Sequence, residues 1–267
     1  SMFSSAIAFD QNIDAWDVSQ VVDMSSMFRD AIAFNQPLNS WDTASLKFTS
    51  FMFQGAAAFN QPLDTWDTSN VVLANSMFQD AILFDQDIDA WDTPNMEDTN
   101  HMFAGAIAYD QPMNSWDIAR VTNLSGMFRG ATSFNHPPGS WDTGSAQNTS
   151  GMFQDAVAFN QPLNSWDVSQ VTSSAHMFHG ATIFDQPLNN WSTTNLILAN
   201  SMFQDALAFN QPLDLWDTSS VTTTNAMFMG ATSFDQDLSS WDITSLADAA
   251  DMLDNTALSL ANYDATL

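Results

Sequence analysis

Nine aspartates, Asp17, Asp42, Asp67, Asp92, Asp117, Asp142, Asp167, Asp217 and Asp242, recur on one 25-residue register, and Ser192 is its single break. All nine directly follow a tryptophan. Stacked in a repeat structure they would form a column of carboxylates, and carboxylate oxygens are what Ca²⁺ prefers. Neighbours about 5 Å apart would repel by roughly 0.8 kcal/mol in water. Seven adjacent pairs would therefore cost a few kcal/mol, which a cation lying along the column would remove. A second reading needs no ion. In Trp-Asp-x-Ser and its variants, the carboxylate accepts a bond from the backbone N–H two residues on and shapes a turn. Turn formation is the favoured reading, and these nine residues are also the candidate Ca²⁺ ligands.

A patchier acidic column runs through Asp14, Asp64, Asp89 and Asp214, with Asn39, Asn114, Asn164 and Asn189 between. Gln36 and its equivalents at 11, 61, 86, 111, 161, 186, 211 and 236 form another register, in which His136 is the exception. Stacked amides can hydrogen-bond along the axis of a repeat, so this column reads as structural. Its Asn and Asp neighbours at 10, 35, 60 and 85 read as turn residues. His176 and His179 would share one helical face, but no third ligand recurs beside them, and His101 and His136 stand apart. There is no Gly-rich phosphate loop, no Gly-x-Ser-x-Gly elbow and no EF-hand loop. Almost every polar residue is repetitive, whereas catalysis rests on a few singular ones, so the sequence predicts no enzyme, no catalytic residue and no bound organic cofactor.

The elements that position these columns follow from the period. Ten tryptophans, from Trp16 to Trp241, fall 25 residues apart without an insertion or deletion. A fixed period of this length marks a solenoid, in which each unit buries its apolar face against its neighbours. The whole chain, 1–267, is read as one domain of about ten coils, with the repeat array running to about 250 and residues 251–267 capping it. In residues 21–45, Val21, Met24, Met27, Phe28 and Ala31 are apolar at steps of three and four, which predicts a helix of about two turns. Pro37 cannot donate a ladder hydrogen bond, so the strand is predicted after it, with Trp41 and Thr43 facing inward and Asp42 outward. The expected fold class is thus an α/β repeat solenoid, a leucine-rich-repeat-like stack of short parallel strands and short helices. Pro138, Gly139 and Ala146 depart from the consensus and predict a bend or a loosened strand in the sixth coil.

Thirty aspartates and one glutamate against four Lys and Arg give a formal net charge of −27, which disfavours nucleic acid and anionic membranes, both of which need cationic side chains. The 21 Phe and 10 Trp are ample to build a core, so the charge belongs to a folded surface. No cysteine is present, which excludes disulfides and thiolate sites. No apolar run approaches the roughly 18 residues of a membrane span. Ser1-Met2-Phe3 falls halfway through a repeat and reads as a fragment boundary or a cloning scar, so any export signal or anchor would lie outside this fragment.

The unit Val-x-x-Met-x-x-Met-Phe-x-x-Ala followed by Phe-Asn-Gln-Pro-Leu-Asn-x-Trp-Asp resembles the 25- or 26-residue bacterial surface-protein repeat. That repeat is also labelled a mycoplasma lipoprotein repeat and grouped with the BspA-like leucine-rich repeats. Met27, Phe28, Ala31, Phe34, Asn35, Gln36, Leu38, Trp41 and Asp42 carry the match. The closing segment, residues 256–264, is similar to the C-terminal end of such arrays. The resemblance implies a leucine-rich-repeat-like solenoid on an extracellular or cell-surface protein, with a role in adhesion. The expected function is a noncatalytic binding or adhesion module that presents a repetitive acidic face to a protein, glycan or mineral, with divalent cations such as Ca²⁺ as candidate bridges. The alternative is a spacer domain of a larger surface protein, with no ligand of its own.

Overall fold

A computed structural model describes residues 1–262, so the tail expected to cap the array is described only over 251–262, and Tyr263 and Asp264 of the resemblance lie outside the described residues. The chain does coil once per 25 residues, but the expected helices and strands are absent from the repeats. Among the described residues, helix is confined to 260–262, and strand pairing is reduced to single bridges. These bridges are parallel and run from Asp23↔Phe48 through Phe48↔Leu73 to Thr223↔Asp248. They lie upstream of the methionines, not after the proline where the strand is predicted.

Each coil is instead a chain of β-turns. In residues 18–46 the N–H of Val21 reaches the carbonyl of Val18 at 2.8 Å, Met27 that of Met24 at 3.0 Å, Ala31 that of Phe28 at 3.0 Å and Phe34 that of Ala31 at 3.0 Å. Trp41 to Leu38 at 3.2 Å and Leu46 to Thr43 at 2.9 Å continue the series. Turns of this kind bring the chain back to the core every third or fourth residue. That is why Met24, Phe28, Ala31, Phe34, Leu38 and Trp41 are buried at a spacing that imitates a helix.

What forbids the helix is left-handed backbone at two registers. Ser26 has φ 57° and Asp30 φ 56°, the third residue of their turns, and the equivalents of both are positive through Asp251 and Asn255. An L-residue there costs about 1–2 kcal/mol. The cost is offset by where it aims the backbone. The N–H groups of Met24, Ser26, Phe28 and Asp30 point along the array and donate to the carbonyls of Phe48, Ser50, Met52 and Gln54 at 2.7–2.9 Å. An α-helix would have kept those donors within the coil.

Side chains stack as strictly as the backbone. Phe28 lies 4.0 Å from Phe34 in its own coil and 5.5 Å from Phe53 in the next, while Trp41 and Trp66 stand 6.2 Å apart. Every indole from Trp41 to Trp241 also donates to a carbonyl of the preceding coil, as Trp116 does to Ile88 at 3.0 Å. Thr43 and its equivalents from Val18 to Thr218 face inward as expected, Ile243 in the last coil is exposed, and the Thr43 hydroxyl donates to the Asp67 carbonyl at 3.0 Å. The sixth coil is neither bent open nor loosened: Trp141 donates to Met113 at 2.8 Å, Trp166 to the Pro138 carbonyl at 3.0 Å, and Ala146 is buried. Pro138 keeps its place because that register supplies only a carbonyl and an apolar side chain.

At the Asp30 register, aspartate never follows aspartate: Asp30, Gly55, Asp80, Gly105, Gly130, Asp155, Gly180, Asp205, Gly230. A Cβ on Gly180 would collide with the Asp155 carboxylate, whereas one on Gly130 would meet only Gly105 at an ordinary 3.8 Å. Both glycines have φ +68°. Gly130→Ala should therefore cost about 1–2 kcal/mol, the left-handed strain alone. Gly180→Ala should cost about 1–3 kcal/mol more by overpacking, and Asp155→Gly should remove that excess. Urea unfolding of the four proteins checks this, and equal losses at the two glycines would refute the steric account. Tyr109 replaces phenylalanine in its column and is fully buried, with a hydroxyl that has no hydrogen-bond partner among the described residues. Tyr109→Phe should raise stability by about 1 kcal/mol in the same assay.

Candidate functional site

The carboxylates following tryptophan face outward and act first on their own turns. Asp17 accepts the Ser19 N–H at 3.1 Å, Asp42 that of Ala44 at 3.2 Å, Asp67 that of Ser69 at 3.0 Å and Asp117 that of Ala119 at 3.0 Å. Asp142, Asp167, Asp217 and Asp242 do the same to Gly144, Ser169, Ser219 and Thr244 at 2.9–3.1 Å. Asp92 is the exception because Pro94 stands two residues on and has no N–H to give. Hydroxyls add a second bond, as Ser219 does to Asp217 at 2.6 Å. The Ser19, Ser169, Ser219 and Thr244 bonds hold Asp17, Asp167, Asp217 and Asp242 below the usual carboxylate range. All four carboxylates are therefore charged at neutral pH.

The patchier acidic column works between coils. Asp14 accepts the Ser40 N–H at 3.0 Å and hydroxyl at 2.8 Å, Asp64 accepts the Asn39 amide at 3.1 Å, and Asp214 that of Asn189 at 2.8 Å. Asp64, Asp87 and Asp89 border an open trough of about 600 Å³ with Ser115, whose N–H donates to Asp89 at 2.8 Å. Among the described residues no group of three or more His, Asp or Glu is arranged to hold a metal ion.

The glutamine register does not stack amide on amide. Gln61 donates to Asn35 at 3.0 Å, one register across and one coil back, and the Asn60 N–H donates to the same oxygen at 2.9 Å. This motif runs from Asp10 to Asp235, where the Ser259 N–H at 2.7 Å and the Asn262 amide at 2.9 Å take the final places. The Asx register is therefore a coil-to-coil acceptor and not only a turn residue. The signal was available in the sequence: Asp and Asn interchange freely at 10, 35, 60, 85, 110, 135, 160, 185, 210 and 235, and the group they share is one acceptor oxygen. His136 stands in for glutamine, its Nε2 2.9 Å from the Asp110 carbonyl.

Among the described residues the histidines belong to no group of three or more potential metal ligands. His176 and His179 have ring centroids 5.8 Å apart, and Asn200 lies 3.2 Å from His176 Nε2. Burial, then the neighbouring His179 and Arg129, lower the pKa of His176, and burial ahead of Arg129 lowers that of His101.

The architecture is that of a tandem-repeat array whose polar registers hold its coils together. Its sequence matches the family described as Mycoplasma protein of unknown function, DUF285, over residues 1–88, 75–182 and 163–265. The chain belongs to that family. No match is found among curated proteins. Among solved structures, a chain in the crystal structure of a TLR13–ssRNA13 complex aligns at 9% identity and a TM-score of 0.19. That alignment covers 86% of this chain and 47% of the other, so the chain spans about half of it, and a likeness this low carries no argument.

The lowered aspartates set an acid response. Their stabilisation is present above the unfolded-chain value of about 3.9 and is lost as pH falls through the lower folded values. Asparagine can still accept the turn bond but cannot titrate. Between about pH 5 and about pH 2, the double variant Asp167→Asn with Asp217→Asn should lose less melting temperature than the parent. Parallel losses would show that these carboxylates do not couple to folding.

Proposed function

We propose that this array is a noncatalytic binding or adhesion module that displays a periodic anionic face to a basic protein, glycan or mineral surface. One observation carries the reading. An Asx turn is served by asparagine as well as aspartate, and at the Asp10 register the two interchange, yet after tryptophan nine of ten residues are Asp and none is Asn. The charge, and not only the turn, is being kept. A column of equivalent carboxylates also suits multivalent contact, in which many weak contacts combine without any one being tight.

Placement outside the cell, membership of the BspA-like leucine-rich-repeat group and bridging by Ca²⁺ belong to this proposal. A ligand-free spacer is the second reading, favoured by the number of polar side chains already spent between coils. The test compares the parent with a variant carrying Asn at 67, 92, 117, 142 and 167, measuring adsorption to immobilised polylysine and to a calcium mineral across a salt series. Binding should weaken by about tenfold or more in the variant, with a shallower salt dependence, at a temperature where both proteins are folded. Equal binding by both proteins would reject the anionic face, and no binding by either would leave the spacer.

A further inference from the structure

In every coil, two residues stand at the tip of the turn that closes on Phe34 and its equivalents, and the closing N–H bond recurs from Phe9 to Ala6 at 2.9 Å through Phe234 to Ala231 at 2.9 Å. Turn tips ordinarily carry Gly, Pro, Asn, Asp or Ser. Here the twenty tip positions, from 7–8 and 32–33 in steps of 25 to 232–233, hold no charged residue, Gly, Pro or Asn, in a chain with 31 acidic side chains. They hold Ile7, Ile32, Ile82, Leu83, Ile107, Val157, Ile183 and Leu207, each 40–63% exposed. The turn itself does not require them, because Thr132-Ser133 and Thr232-Ser233 form the same one. Other exposed aliphatics of the coils are fewer: Val22, Leu215 and Ile243 stand singly, and Ile197 and Leu198 form one pair. The tips are stacked coil on coil, as the Ala58 N–H to Ile32 carbonyl bond at 3.1 Å records, and they form an apolar lane over residues 7–108 and 157–208, broken by Thr132-Ser133. Exposed apolar strips of this kind mark interaction sites.

Charge narrows the occupant. Two residues before four of the ten tips the chain carries Asp30, Asp80, Asp155 and Asp205, and two residues after five of them Asp10, Asp85, Asp110, Asp185 and Asp235. A second copy, also at −27, would set carboxylate border against carboxylate border, which like-charge repulsion disfavours. The complement is an apolar stripe bordered by Lys and Arg. Spacing narrows the shape. Equivalent rings stand 5.5–5.8 Å apart in the Phe28 column and 5.7–6.2 Å apart in the Phe34 column, and an α-helix advances 5.4 Å per turn, so the two stay in step over a few coils. A helix laid along the array thus offers one apolar side chain per coil, at i, i+4, i+7 and i+11.

We propose that the apolar lane at residues 7, 32, 82–83, 107, 157, 183 and 207 is the docking surface for a cationic amphipathic helix of a partner protein. The lane occupies a different register from the tryptophan-following aspartates, so the inference stands apart from their role. The probe is a synthetic helix of about 20 residues, long enough for about six coils, with Leu on one face and Lys elsewhere. Its scrambled isomer has the same composition and charge. At about 0.15 M salt the amphipathic peptide should bind the parent at least about tenfold more tightly than the isomer does. Ile32→Ser, Ile82→Ser, Leu83→Ser and Ile107→Ser combined should abolish that preference while leaving the melting temperature unchanged. Substituting Asn for the tryptophan-following aspartates should leave it intact. Equal binding by the isomer, or by the serine variant, would overturn the proposal in favour of charge alone. Sedimentation showing self-association that the serine variant abolishes would overturn it in favour of a second copy.

Discussion

The fold depends on the backbone donors that leave their own coil. Met24, Ser26, Phe28 and Asp30 aim their N–H groups at the next coil only because Ser26 and Asp30 adopt left-handed backbone. That geometry costs free energy locally and yields hydrogen bonds only when a neighbour is present. A single coil would carry the strain without the bonds. Stability is therefore a property of the stack, as in other repeat proteins, and it is reinforced at the same spacing by indoles donating to carbonyls one coil back and by aromatic rings in columns.

The period, the buried Trp, Phe and Met columns and the turn-forming aspartates were all legible in the sequence. Secondary structure was not, because a series of β-turns and an amphipathic helix bury residues at the same steps of three and four. Met24, Phe28 and Ala31 fit both patterns. The residues that separate them are Ser26 and Asp30, at registers where glycine recurs as Gly126, Gly151, Gly55 and Gly105. Repeated glycine within an apolar helical pattern points to positive φ, and here it outweighs the hydrophobic spacing. The strand was misplaced for a related reason: the bridging register, Asp23, Phe48, Leu73, Asp98, follows no hydrophobic rule, since its partners meet through the backbone alone.

Comparing registers separates what the aspartates do. Where Asn and Asp alternate, as at Asn35 and Asp85, an acceptor oxygen suffices and the charge is incidental. Where Asp alternates with Gly, as at Asp155 and Gly180, the constraint is steric and runs between neighbouring coils. After tryptophan neither account covers the preference for a carboxylate. A strongly acidic repeat protein thus divides its charge among distinct physical roles, and composition alone would merge them.

The alternation of Asp with Gly bears on how such an array can change in length. Losing the Gly55 or the Gly180 coil would join aspartate to aspartate and set a Cβ against a carboxylate, whereas losing the Asp80 or the Asp205 coil would leave glycine on glycine. Coils are therefore not interchangeable at this register: a glycine coil between two aspartate coils is held there by its neighbours, and an aspartate coil is not. Gly105 and Gly130, adjacent in the stack, already show the glycine-on-glycine pairing that such a loss would create.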